Sequence, residues 1–191
     1  MAMTSGATEK PRPRERLLST AGRLFYTRGI RTVGVEQLIA EAEVTRATFY
    51  RHFAGKEGLV LACLQERDAR VRHAVAAVLA VHRGRDALLG IMAMIGETVD
   101  GPGFRGCGFL NAAAEYPDPE HPVRRCVAEH REWFRGVLRD VVSDAGHPEP
   151  DRPARSLVLL RDGAMAGGHL DRQQDAAATL RRAAQELLDA G

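Results

Sequence analysis

Apolar residues recur along this chain at helical spacing, with no run that alternates as a strand would. Leu17, Ala21, Leu24, Phe25 and Arg28 share one helical stripe, so a first helix is predicted from about Arg14 to the glycine at 29. A short second helix is expected from Val35 to Ala42, with Val35, Leu38, Ile39 and Ala42 inward and Gly34 as an acceptable N-cap. After a tight turn at Glu43 and Val44, Thr45 caps a third helix reaching about Phe53. Its Phe49 and Phe53 lie one turn apart, on the face that would meet Leu38 and Val44.

The rest of the chain reads as a helical bundle. A long fourth helix starts at Lys56 and keeps its period through Leu59, Val60, Cys63, Leu64, Val71, Val75, Val78 and Leu79 until His82-Arg83-Gly84. A fifth spans Asp86 to Val99, and a sixth runs from Phe104 or Gly106 to Tyr116, where Pro117 stops it. Asp118 followed by Pro119 has the form of an N-cap and first helical position, and predicts the start of a seventh helix ending near Gly146. An eighth follows Pro153 and a ninth covers Gln174 to Ala190. The expected class is all-α, about nine helices, with a three-helix head joined to a C-terminal bundle. The boundaries expected are a disordered lead-in at 1–12, a head at 13–58 and a body at 59–191.

Composition removes several classes. No stretch approaches the roughly 18 apolar residues that a membrane span needs, and Met1 to Pro13 lacks an apolar signal core. Cys63, Cys107 and Cys126 are odd in number and widely spaced, which fits a reducing cytoplasm better than a disulfide framework. The net charge is only +2, but it is unevenly placed. Residues 1–60 hold ten Lys or Arg against six Asp or Glu, and the remainder holds seventeen against nineteen. A basic head on a mildly acidic body suits nucleic-acid binding at one end.

The head has a known physical use. A helix fits the major groove, and the helix before it crosses the backbone and steadies it. With Phe49 and Phe53 anchored inward, Arg46, Ala47, Thr48, Tyr50, Arg51 and His52 are left facing out. Arginines suit guanine edges or phosphates, and hydroxyls suit phosphate oxygens. Lys56 adds charge at the start of the next helix. The plainer alternative is a polar face on a small bundle.

Residues 29–59 resemble the DNA-binding signature of the TetR family of bacterial regulators, most specifically Thr-Phe-Tyr-Arg-His-Phe at 48–53, then Lys56, Glu57 and Leu59. Ala21, Leu24, Phe25 and Gly29 in the preceding helix match too. The resemblance implies a sequence-specific, DNA-binding transcriptional regulator, most often a repressor released from a palindromic operator by a small molecule. It implies base or phosphate contacts from Arg46, Thr48 and Arg51, phosphate contacts from Tyr50 and Lys56, and a further one from Thr32. Thr45, Ala47 and His52 complete the candidate surface. Three positions depart from the family pattern: Glu43 where glycine is usual, Ile39 in place of alanine, and Gly55 in place of a capping serine.

Specific operator affinity needs more contacts than one such motif holds, and a dimer doubles them. Leu157-Val158-Leu159-Leu160 leaves half a helix without a polar side, implying burial all round. Leu157, Leu160, Ala164, Gly168, Leu180, Ala184, Leu187 and Leu188 are the candidate seam of a homodimer, Gly167 and Ala183 lying beside them. The family pairs through its last two helices in a four-helix bundle. Its middle helices enclose an effector, for which the candidates are Met92, Ile95, Phe104, Phe109, Asn111, Glu115, Tyr116, His130, Trp133 and Phe134. Together they place a few polar groups on otherwise apolar faces, as ligand pockets do, although each alone also reads as a core residue.

No histidine pair has metal-ligand spacing, and no phosphate-cradling loop or nucleophile elbow is present, so catalysis, metals and cofactors are not expected. Two alternatives stay open: a regulator sensing through Cys107, which its flanking glycines could leave exposed, and a helical adaptor that binds only proteins.

Overall fold

A computed structural model describes residues 11–171 and 175–189. Among these residues there are nine helices and no strand. They are α1 (Pro13–Arg28), α2 (Val35–Glu41), α3 (Arg46–His52), α4 (Lys56–Val81), α5 (Gly84–Asp100), α6 (Gly108–Glu115), α7 (Pro122–Asp144), α8 (Asp151–Leu170) and α9 (Ala176–Asp189). The expected disorder at 1–12 falls largely outside the described residues, as do both ends, Gln174 and Ala190, expected for the last helix.

The chain divides into two compact units at Cys63 and Leu64. That boundary lies inside α4, five residues beyond the one the sequence implies, for a packing reason. Leu59 of α4 is buried in the first unit's core, and Ala62 and Cys63 pack against it. The rest of that core is Leu17, Leu18, Ala21 and Leu24 from α1, Val33, Leu38 and Ala42, Phe49 of α3 and Phe53 at its C-terminal cap. Burying such side chains contributes roughly 1.5–3 kcal/mol each, enough to hold three short helices that would not persist alone.

In the second unit α5 is the central element, packing against α7, α8 and α9. Its Leu88, Ile91, Met92 and Ile95 are buried, as are Val127, Leu138 and Val142 of α7, Leu157 of α8 and Leu180 of α9. Gly96 lets α9 approach closely: a methyl there would collide with the Ala177 backbone. At Gly168 of α8 an added methyl would collide with Val99 of α5.

Four expectations are corrected. The sixth helix starts at Gly108, because Gly103 and Gly106 take φ of 72° and 83° and keep residues 101–107 in a loop. The seventh does not begin at Asp118 and Pro119. Asp118 instead closes a turn, its Oδ1 accepting from the Glu120 amide at 2.9 Å, while His121 Nδ1 accepts from Val123 N and Pro122 takes the first helical position. The run 157–160 is not buried all round: Leu157 is, but Leu159 is 70% and Leu160 37% exposed. Finally, Leu157, Leu180 and Ala184 are buried within this chain's own core and leave little surface to face a second copy, whereas Gly168 packs on α5 by one side and is only half-buried.

Candidate nucleic-acid interface

The interface is built from α2, the turn after it, and α3. Thr45 caps α3, its Oγ1 accepting from the Thr48 amide at 3.1 Å. Phe49 is fully buried, and Phe53 nearly so, with their rings 6.3 Å apart. That anchorage fixes which way the remaining side chains point. Arg46, Ala47 and Arg51 are exposed, Tyr50 is 49% exposed, and Thr48 and His52 are half-buried. Tyr50 meets Phe49 edge-on at 5.1 Å, and the Arg46 guanidinium lies 5.8 Å from the Tyr50 ring centre.

The turn is braced by a residue that sequence reasoning missed. Arg16 of α1 donates from Nε to the Ala42 carbonyl and from Nη2 to the Glu43 carbonyl, each at 2.9 Å. Glu43 sits at φ 52°, the left-handed conformation that disfavours a residue with a Cβ. Holding both carbonyls by a charged fork offsets that strain. Two turns along, Arg23 Nη2 donates to Glu41 Oε2 at 2.6 Å, and this bond holds the Glu41 carboxyl below its usual pKa. The available signal was the seven-residue spacing of Arg16 and Arg23, beside the apolar stripe of α1.

Arg46 is paired at 2.7 Å with Glu36 of α2, a second residue not foreseen. Both side chains are well exposed, so the pair contributes about 0–1 kcal/mol and can be exchanged for a phosphate or a base. Thr32 is exposed and its hydroxyl donates to Arg28 O at 2.6 Å, leaving its lone pairs to accept. Lys56 Nζ reaches the Arg31 carbonyl at 3.4 Å, a weak restraint. Gly55 has φ 92°, so the glycine that replaces a capping serine uses its freedom there.

In the second unit, four of the expected effector-contacting residues come together, but as packed core. The His130 ring stacks on Phe109 with centroids 3.7 Å apart, and Trp133 and Phe134 adjoin it. His130 Nδ1 lies 2.6 Å from Asp68 Oδ1, and Arg72 bonds the other Asp68 oxygen while stacking over Trp133. Burial pushes the His130 imidazole down from its usual value, against the raising influence of Asp68. Burial pushes the Asp68 carboxyl up, yet hydrogen bonds from His130 and Arg72 more than offset this and hold it low. Met92 and Ile95 are buried on α5, and Phe104 is half-buried near Gly168. Asn111 is exposed and donates to the Arg105 carbonyl, and Tyr116 packs on His121 beyond Glu115. None of the ten lines the groove of about 440 Å³ between α6, α7 and α8.

Cys107 is not exposed as its flanking glycines implied: it is 6% exposed, and Arg161 of α8 donates to its Sγ at 3.2 Å. Arg161 also bonds Asp162, which pairs with Arg131 at 2.7 Å. Among the described residues no group of His, Cys, Asp and Glu is placed to hold a metal, and no helix is long and apolar enough to cross a membrane.

Comparison with known proteins places most of the chain in one family. Residues 17–63 match the model of bacterial regulatory proteins of the tetR family, and residues 84–187 match the tetracyclin repressor-like C-terminal domain. The transcriptional regulator LmrA of Bacillus subtilis is 32% identical over 155 residues, spanning 76% of this chain and 79% of that protein. A crystal structure of a TetR-family transcriptional regulator from Streptomyces coelicolor is 42% identical, with a TM-score of 0.88 over 93% of this chain and 95% of its own. The reduced form of Escherichia coli NemR, 23% identical, shares the fold with a TM-score of 0.78 over 92% and 97% of the two chains. With helix-turn-helix and C-terminal domain both matched, the chain belongs to the TetR family and is a DNA-binding transcriptional regulator, of a family of regulators rather than enzymes.

Proposed function

We propose that this chain is a homodimeric cytoplasmic repressor that leaves a near-palindromic operator when a small-molecule effector binds its body. The carrying observation is the outward row of α3: Arg46, Tyr50 and Arg51 stand exposed on a helix whose other face is locked by Phe49 and Phe53. Arg46 and Arg51 contact bases or phosphates in this reading. Thr48, Tyr50, Lys56 and Thr32 hold the phosphate backbone, while Thr45, Ala47 and His52 complete the surface. The exposed Leu159 and Leu160 support pairing through α8. Ala164, Leu187 and Leu188, each half-buried, are the other positions open to a partner. The α4 helix, Lys56 to Val81, carries residues of both units, so in this reading it is the chain segment through which effector binding in the body acts on the head.

Selection of bound duplexes from a random pool, using the full-length protein, tests this reading. The expected product is a palindrome with half-sites about one helical turn apart, and Arg46→Ala weakens binding to it by about 1–3 kcal/mol without changing the oligomer. Indifference to every duplex at low salt would overturn the proposal.

One observation favours a second reading, regulation through a thiol. Cys107 Sγ accepts a hydrogen bond from the Arg161 guanidinium at 3.2 Å, so any change at this sulfur alters a buried polar contact between the α6 N-terminus and α8. Operator binding by wild type and Cys107→Ser, compared with and without peroxide, discriminates: thiol sensing requires a peroxide response that the serine variant lacks.

A further inference from the structure

The groove between α6, α7 and α8 has an apolar floor that includes Leu110, Ala113, Val127 and Val158, and a charged side on which Arg124, Arg131 and Arg135 outnumber a single carboxylate, Glu132. Two of these arginines are spoken for. Arg131 pairs with Asp162 at 2.7 Å, and Arg135 pairs with Glu132 at 2.6 Å and lies 3.7 Å from Asp151. Arg124 differs: its Nε is buried and has no acceptor among the described residues.

An unpaired, buried donor on a cation is costly, and a guanidinium cannot relieve the cost by losing its proton. Its position adds to the cost. Arg124 stands in the first turn of the 23-residue α7, a turn that holds no acidic residue. The helix dipole there is positive and disfavours a second positive charge. One anion at Arg124 would remove both penalties, supplying the missing acceptor and compensating the helix end. The volume of about 440 Å³ is that of a small-molecule site, and the apolar floor excludes a bare inorganic ion as the whole occupant.

We propose that this groove binds a small amphipathic anion: an aliphatic or aromatic body on the apolar floor, and one carboxylate or sulfonate head held by Arg124. The binding claim stands on the groove itself, while its regulatory consequence rests on the proposed effector reading above.

Two fluorescent probes that differ only in charge test it: 8-anilinonaphthalene-1-sulfonate and its neutral parent, N-phenyl-1-naphthylamine, each titrated into the full-length protein. Wild type binds the sulfonate at one saturable site per chain. Arg124→Gln weakens that site at least tenfold and changes the neutral probe less than twofold. Ala113→Trp, which fills the groove while leaving Arg124 in place, weakens both probes. Circular dichroism melting checks that each variant is folded, and Arg124→Gln is expected to melt no lower than wild type, because no bond within the described chain is lost. Equal sulfonate affinity in wild type and Arg124→Gln, or no saturable site at all, overturns the proposal. A separate arm adds the sulfonate to the operator complex. If binding depends on Arg124 and operator affinity is unchanged, the anion site stands and the release mechanism fails at this site.

Discussion

Arg16 shows how much one side chain outside the reading helix can matter. Its guanidinium spans the Ala42 and Glu43 carbonyls and also reaches the Pro11 carbonyl at 2.8 Å, tying α1 to the turn that leads into α3. Arg16→Ala should destabilise the first unit by about 1–3 kcal/mol, since two turn carbonyls lose charge-assisted partners. Lysine should restore little of this, because an ammonium cannot span both carbonyls. Chemical denaturation of the three proteins checks it, and wild-type stability in Arg16→Ala would show that the turn holds itself. His130 carries a different dependence. Burial keeps its folded-state pKa below the usual 6.5, so the unfolded chain binds the proton first. Its contribution to stability is therefore complete above that value and lost as pH falls through it toward the folded pKa. Melting temperature should drop as pH falls below about 6.5, and His130→Gln should flatten the drop. Asp68 acts in a separate window, its contribution being lost only as pH falls below the usual 3.8. An unchanged slope in His130→Gln would place the acid sensitivity elsewhere.

At the scale of elements, legibility followed sequence separation. The α3 helix was readable because its determinants are local: a Thr45 cap and two phenylalanines one turn apart. The start of α7 was misread because Asp118-Pro119 and His121-Pro122 both offer a cap followed by proline. Only the hydrogen bond actually made, from Val123 N to His121 Nδ1, decides between them. The effector candidates were drawn from polar groups on apolar stripes. Whether such a group is free or satisfied depends on distant partners, and His130 meets an Asp68 that lies 62 positions away. Arg124, the groove arginine whose Nε has no acceptor among the described residues, carries no local mark that sets it apart from Arg131 or Arg135. Gly96 makes the same point for packing. In sequence it is a glycine within a helix, which costs about 1 kcal/mol relative to alanine. In the fold it is where the α9 backbone meets α5, at the second unit's most extensive helix contact. Gly96→Ala, favourable by propensity alone, should therefore destabilise this unit by about 1–3 kcal/mol through overpacking. Thermal melting decides, and a rise in melting temperature would mean that α9 can shift without cost.

For the whole molecule the decisive quantity is the stability of a symmetric pair. A two-fold seam uses each residue twice, so any apolar side chain within it counts double. Leu159 is the test case: 70% exposed in the single chain, on a helix whose neighbouring Leu157 is fully buried. If pairing buries it, each copy contributes about 1.5–3 kcal/mol, or 3–6 kcal/mol for the pair. Leu159→Asp should then raise the dimer dissociation constant by roughly two to four powers of ten, at 1.4 kcal/mol per tenfold. The single-chain fold should be intact, because Leu159 is not part of its core. Operator affinity should fall with dimerisation, and the salt dependence of what remains should drop to about half, since one α3 surface instead of two then neutralises phosphates. Sedimentation equilibrium and salt-titrated operator binding on the same preparations measure both effects. A variant that stays dimeric would move the seam off this face of α8, and one that becomes monomeric yet binds operator at full strength would show that a single head suffices.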